Sequence, residues 1–308
     1  MATIDSTPRP IGTKTQSVID VFGRYVVPNY KRFPVCLVRG EGSRVWDAEG
    51  NEYLDLFPGW GCNLLGHCPG PVVRAVQEQV ARLIHVPNTW YTEPQGEWAR
   101  LLSERSFGGQ AFFCNSGTEA NEAAIKLVRL RSGGERYKII TFQGGFHGRT
   151  MVPDVITLAK SLCAGIAGGA MLTSADLARH LRPGMHAATF GGNPVAAAAG
   201  IAAIRMIEDE GLLEHVDRAA AAFRERLATL KERCDAVCDV RVMGMMIGVE
   251  LTIDGAAVVQ ACLERNLLVN CTQGRVIRLL PAMTITPADV EEGCDTLAEA
   301  IIEVASRG

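Results

Sequence analysis

Residues 111–122 read AFFCNSGTEANE, a four-residue apolar run that passes through Asn115-Ser116-Gly117 directly into a helical pattern extending from about Thr118 to Leu130. A short apolar strand feeding a helix across a Ser-Gly turn is the repeating step of a layered α/β fold. Downstream, Tyr137–Phe142 and Val155–Leu158 are two more short apolar runs of strand length. Upstream, Val72, Val73, Val76, Val80, Leu83 and Ile84 share one helical face, predicting a helix over 71–84.

Residues 35–56 (VCLVRGEGSRVWDAEGNEYLDL) read as three strands separated by Gly40-Glu41-Gly42 and Glu49-Gly50-Asn51. Asn193-Pro194 opens an Ala-rich helix running to about Asp209, with Asn as cap, Pro at the first helical position and Gly211 beyond the end. Helices over about Leu213–Cys234 and Ala256–Arg265, strands near 242–251 and 275–280, and a last helix after Thr286-Pro287 complete the tail. The expected organisation is an N-terminal segment of a small α+β domain (1–64), a large α/β domain (65–210), and the C-terminal part of the small domain (211–308).

The chain has 308 residues, 47% hydrophobic and 6% aromatic, so aliphatic side chains and alanine must fill most of its core. Its 31 basic and 34 acidic residues form no long block of one sign, which argues against nucleic-acid binding or a polybasic membrane surface. The N-terminus has no hydrophobic signal core and no apolar run approaches a membrane span, so a cytoplasmic protein is expected. Ten cysteines are scattered. Cys36, Cys114, Cys163 and Cys262 sit among apolar or small residues, as reduced thiols do. Cys234-x3-Cys238 and Cys62…His67-Cys68 lack a second ligand pair, and no metal site is expected.

Four stretches carry chemistry. Ser116-Gly117-Thr118 offers free helix N–H groups and hydroxyls to an anion, or serves only as a helix cap with Glu122 as capping-box residue. Phe142–Thr150 packs three glycines around Phe146, His147 and Arg149, suited to a flat charged ligand or to a plain surface loop. Lys160 follows the strand 155–158, where burial would favour its neutral, nucleophilic form; an isolated lysine is otherwise a solvated group. Thr189-Phe190-Gly191-Gly192-Asn193-Pro194 is a turn leading into a helix cap. Phosphate cradle, aromatic-Arg loop, amine and Thr-Gly-Gly turn together match the needs of pyridoxal phosphate chemistry.

NSGTEANEAAIKLVR, FHGRTM, PDVITLAK and TFGGNP resemble the class III aminotransferases of the fold type I pyridoxal-phosphate group. YLDLF…LGHC, LIHVPNTWYTEPQ and VIRLLPAMTITPADV resemble the acetylornithine aminotransferases within it. The resemblance implies an α/β large domain with a mostly parallel sheet and a smaller α+β domain. It implies pyridoxal 5′-phosphate as cofactor, with Lys160 bonded to its aldehyde and later carrying the proton. Ser116, Gly117 and Thr118 would hold the phosphate, Phe146 would stack on the ring, and His147 would contact the cofactor. Thr189 would reach the phosphate of a neighbouring subunit, so a homodimer with shared sites is implied. Arg149 would bind the substrate α-carboxylate, with Arg278 a second arginine at that site. The implied reaction passes the terminal amino group of N-acetylornithine to 2-oxoglutarate, in arginine biosynthesis; ornithine, succinylornithine and 4-aminobutyrate aminotransferases share the cofactor motifs.

The chain also departs from that pattern. The family has a long segment between the HGRT loop and the PDxxTLAK strand, bearing central strands and an Asp that pairs with the cofactor ring nitrogen. Here only Met151 and Val152 separate Thr150 from Pro153. An extended run from Asp154 to Lys160 spans about 20 Å, too far for Asp154 to replace that aspartate. A shortened relative acting only as a structural or dimerising protein is therefore the contrasting expectation.

Overall fold

The computed structural model describes residues 10–133, 135, 151–152 and 155–307. The predicted strand at Tyr137–Phe142, together with Phe146, His147, Arg149 and Asp154, lies outside the described residues. The chain divides into two units, each with its own sheets. One holds the chain up to Trp60, Gly66–Cys68 and everything from Leu212; the other holds Gly61–Leu65 and Pro69–Gly211.

The first unit begins with helix α1 (Thr13–Tyr25), then strands β1 (Leu37–Glu41), β2 (Arg44–Asp47) and β3 (Glu52–Asp55), the meander expected from the two Gly-rich turns. The second unit contains α2 (Gly70–Val80), α3 (Glu93–Glu104), β4 (Gln110–Cys114), α4 (Gly117–Arg131), β5 (Met151–Val152), β6 (Val155–Leu158), β7 (Gly169–Thr173), α5 (Ala175–Ala178) and α6 (Pro194–Asp209). The chain returns to the first unit with α7 (Leu212–Arg233), β8 (Val237–Met243), β9 (Met246–Leu251), α8 (Gly255–Glu264), β10 (Leu267–Leu268), β11 (Asn270–Thr272), β12 (Val276–Leu279) and α9 (Pro287–Ser306).

In the first unit β10 adds parallel to β3, with Leu267 opposite Leu54, closing a sheet of order β1-β2-β3-β10. The second sheet, β11-β12-β9-β8, is antiparallel throughout. Period-two alternation turns Ile247, Val249, Leu251, Ile277 and Leu279 inward, where they join Phe223 and Leu227 of α7 and Leu297 and Ile301 of α9 in one buried cluster. Arg44 ties the meander to α9 through Asp289 at 2.7 Å and Glu292 at 2.6 Å.

The second unit's sheet has the order β4-β7-β6-β5, and each neighbouring pair is antiparallel. This corrects the expectation of a mostly parallel sheet for the described strands. β4 and β6 do run the same way, but β7 lies between them in the opposite sense. Only two residues link β5 to β6, and a link that short permits a hairpin and no crossover. Helix α4 covers the sheet through Ala123 and Leu127, which meet Val155 and Met171. On α6, Asn193 caps the helix by accepting the Ala196 N–H at 3.0 Å, as its Asn-Pro start predicts. The helix expected over 71–84 stops at Val80, leaving Leu83 and Ile84 exposed. All ten cysteines are free; Cys114, Cys163 and Cys262 are buried and Cys36 is half-buried.

Candidate functional site

The ends of the second unit's strands bring three of the singled-out stretches together. Cys114 pairs with Gly169 and Leu158 pairs with Ala170, so the C-terminal ends of β4 and β6 flank the start of β7. Ser116 lies two residues beyond β4 and Lys160 two residues beyond β6. Two strand spacings place these chain exits about 10 Å apart on the backbone. The carboxyl ends of strands are where layered α/β domains bind ligands. The turn at 188–192 joins them: Asn88 Nδ2 donates to the carbonyls of Ala188 (3.1 Å) and Gly191 (2.9 Å). A Cβ on Gly191 would lie 2.1 Å from the Phe113 carbonyl oxygen, so only glycine lets the turn rest on β4.

Ser116 is the N-cap of α4 and accepts the Glu119 N–H at 3.3 Å. Its hydroxyl donates to Glu119 Oε2 at 3.0 Å, and the same carboxylate accepts the Asn115 N–H at 2.8 Å. Glu119, not Glu122, is thus the residue that folds back on the cap. Burial pushes the Glu119 carboxyl up, but the bonds from Asn115 and Ser116 outweigh it and hold it below the usual carboxylate range. With the Ser116 hydroxyl engaged, the first-turn N–H groups of Gly117 and Thr118 remain the donors for an anion. Gly169 is what lets β7 pass beneath, since a Cβ there would meet the Ser116 carbonyl at 2.8 Å. Burial raises the neighbouring Cys114 thiol to about 11, so it stays protonated and adds no negative charge.

Lys160 enters a short 3-10 turn (Lys160–Cys163) at φ 55°, a left-handed backbone unusual for a residue with a Cβ. The residue is exposed, so of its two readings the solvated one matches this structure; β6 ends two residues earlier, at Leu158. Thr189 is likewise exposed in its turn.

Arg278 belongs to the other unit. On β12 it faces away from the buried Ile277 and Leu279. Its cross-strand partners are Gly248, which leaves room, and Asn270, whose Oδ1 accepts from Nη2 at 3.3 Å. The guanidinium lies 4.9 Å from the Phe57 ring and 5.7 Å from the Trp60 ring, and these two rings meet edge-on at 5.3 Å. Leu280 donates to the Leu56 carbonyl at 2.8 Å, fixing the aromatic loop beside the end of β12. Asp55 secures the loop's start by accepting the Phe57 N–H at 2.9 Å and contacting His67 Nε2 at 2.9 Å. Among the described residues Arg278 has no carboxylate partner, and its buried Nε has no hydrogen-bond partner. A half-buried cation without an anion is a ready carboxylate site. Reading the sequence for motifs missed Phe57 and Trp60; the available signal was a tryptophan set between glycines in Pro58-Gly59-Trp60-Gly61. No helix among the described residues is long and apolar enough to cross a membrane.

The family model described as aminotransferase class-III matches in two segments, residues 25–152 and 151–301, which meet at the short link between the glycine-rich loop and PDVITLAK. The acetylornithine aminotransferase of Caldanaerobacter subterraneus subsp. tengcongensis is 34% identical, with 91% of this chain and 98% of that protein aligned. The acetylornithine aminotransferase of Methanopyrus kandleri is 35% identical, covering 92% of this chain and 98% of the relative. Both alignments run over 386 positions, more than the 308 residues present, and the chain is shorter than these relatives. The crystal structure of N-acetylornithine aminotransferase from Stenotrophomonas maltophilia K279a matches with a TM-score of 0.81 at 28% identity, over 94% of this chain and all of that one (100%). With most of its length shared in sequence and fold, the chain belongs to the class III aminotransferases.

Proposed function

We propose that the chain is an aminotransferase of the acetylornithine type: pyridoxal 5′-phosphate is its cofactor, N-acetylornithine its amino donor and 2-oxoglutarate its acceptor. The observation that carries this reading is the meeting of Lys160 and the Ser116–Thr118 turn at one sheet end in a chain so similar to acetylornithine aminotransferases. The residues fit such a cofactor at two of its ends. Gly117 and Thr118 would hold the phosphate with helix N–H groups, aided by the helix dipole and by a turn that Gly169 keeps open. Lys160 Nζ would bond to the aldehyde carbon and, once displaced by substrate, take and return the proton at the amino-bearing carbon. The cofactor, when bound, supplies the electron sink that makes that C–H bond acidic.

Arg278 would take a substrate carboxylate, and Arg149, Phe146 and His147 keep the roles implied by the family resemblance. Thr189, exposed in its turn, would reach the phosphate held by a second subunit, so the working form is a cytoplasmic homodimer. A second reading is favoured by the two-residue link between β5 and β6 and by the break in the family match at that link: a shortened relative without turnover that acts only as a structural or dimerising protein. One assay separates them. Purified chain with pyridoxal 5′-phosphate is expected to form glutamate from N-acetylornithine and 2-oxoglutarate, with loss in Lys160→Ala. Absence of glutamate, with or without a Lys160-dependent chromophore, overturns the first reading and selects the second.

A further inference from the structure

One lysine of the second unit spends its charge on the chain that enters the Thr189 turn. Lys126 on α4 is half-buried, and its ammonium donates to the Met185 carbonyl at 3.2 Å and to His186 Nδ1 at 3.1 Å. A lysine on a helix flank ordinarily carries its charge out to water. The chain that meets this one is shaped for the contact. Pro183-Gly184 forms the centre of a tight turn, closed by the Met185 N–H to the Arg182 carbonyl at 3.1 Å, with Gly184 at φ 85°. Directly after it, the His186 ring lies 5.0 Å from the Phe112 ring of β4. A ring nitrogen that accepts from an ammonium belongs to a neutral imidazole, with its proton on Nε2. Burial and the Lys126 charge push His186 below the usual histidine range; Glu122 and Glu119, also on α4, pull the other way without outweighing them. From β4 the ring meets the uncharged Phe112.

We propose that Lys126 is a positioning residue for the Thr189 turn and His186 the group through which it acts: together they anchor the stretch entering the turn to α4 and β4. The inference rests on the proposed reach of Thr189 to a phosphate on a second subunit. An exposed turn that serves a neighbour is not ordered by a ligand of its own subunit, so its own subunit has to hold it ready. Asn88 holds the turn itself, through the carbonyls of Ala188 and Gly191. Lys126 holds the approach to it, at Met185 and His186. Protonating His186 would remove the Nδ1 acceptor and set two cations 3.1 Å apart, so the anchor works with the ring neutral and opens when it is charged. Its contribution is complete above about pH 6.5 and declines as pH falls below that, because the folded-state value is the lower one.

The test is a double-mutant cycle on the full chain, read as affinity for pyridoxal 5′-phosphate by absorbance titration at about pH 8. Thr189→Ala is expected to weaken binding about tenfold, the loss of one hydrogen bond to a charged group. Lys126→Met should weaken it about fivefold. The double variant should bind as Thr189→Ala does, because the lysine acts through the threonine. His186→Gln, whose amide oxygen accepts from the same ammonium without titrating, should recover most of the affinity lost in His186→Ala. It should also lack the additional weakening that wild type shows between about pH 7.5 and pH 5.5. Full additivity in the cycle, no effect of Lys126→Met, no recovery in His186→Gln, or equal pH profiles for it and wild type overturns the proposal. An unchanged affinity in Thr189→Ala overturns the reach of the turn to the phosphate, and the proposal with it.

Discussion

The two units bury their helices against their sheets in different ways. In the first, a single buried cluster runs from the meander's Leu54 and Leu56 through the β12-β9 pair to α7, α8 and α9. In the second, the cluster between α4 and its sheet is Ala123, Leu127, Val155 and Met171, with partly buried neighbours such as Phe112 and Leu181 around it. Lys160, the Ser116 turn and the Thr189 turn all belong to the second unit, and Arg278 to the first. The short link at 151–155 falls there too. Among the described residues, β4, β7 and β6 keep a continuous antiparallel register, and the strand beyond β6 is the two-residue β5.

The largest expected effect is at Lys160. Lys160→Ala should remove the lysine-bound cofactor absorbance completely and lower glutamate formation by more than about 10³-fold, while far-UV circular dichroism stays unchanged. Next comes the core of the first unit. Phe223→Ala, with its ring fully buried, should cost about 3–5 kcal/mol in urea unfolding followed by circular dichroism. In the second unit, Leu127→Ala should cost about 2–4 kcal/mol and weaken cofactor retention as well, since its cluster underlies the cradle helix. If Leu127→Ala left cofactor affinity intact, the link drawn between the α4 cluster and the site would break.

A smaller effect, confined to the first unit, is expected at Asp47. Burial raises this carboxyl, but the Asn51, Tyr53 and Glu49 donors outweigh burial and hold it below the usual aspartate range. A depressed folded-state value contributes stability that is present above about pH 4 and lost as pH falls through the folded value. Wild-type thermal stability should drop below about pH 4, and Asp47→Asn should cost about 1–3 kcal/mol at pH 7 while flattening that drop. Gly169→Ala acts on the cradle itself. Its methyl would lie 2.8 Å from the Ser116 carbonyl oxygen, a backbone atom that must shift, and we expect a severalfold weaker affinity for pyridoxal 5′-phosphate by absorbance titration together with a lower melting temperature.

Local signals made several elements legible. Val155–Leu158 is a strand as its apolar run predicts, and α6 starts at Asn193-Pro194 and ends just before Gly211 as its caps predict. β7 was not legible. Its sequence, Gly-Ala-Met-Leu-Thr, follows a run of small residues that reads as a loop, yet every residue is buried. Small side chains are what this central position requires, because the strand passes under the Ser116 turn. Missing β7 also hid the sheet's sense, since β7 makes both β4 and β6 antiparallel to their neighbour. At the site, the cap at Ser116 was legible from its Ser-Gly-Thr spacing. Which carboxylate folds back on it was decided by reach: Glu119, three residues on, sits over the cap, whereas Glu122 is a turn further along α4. Trp60 escaped notice because its meeting with Arg278 is tertiary, with more than two hundred residues between them in sequence.

The central claim is that the second unit retains a working cofactor cradle with Lys160 as its amine. It is tested most directly by incubating the chain with pyridoxal 5′-phosphate, reducing with borohydride and mapping the phosphopyridoxyl group by peptide mass spectrometry. We predict near-stoichiometric label on the peptide containing Lys160, suppressed by competing inorganic phosphate. Label scattered over other lysines, or none at all, would contradict it.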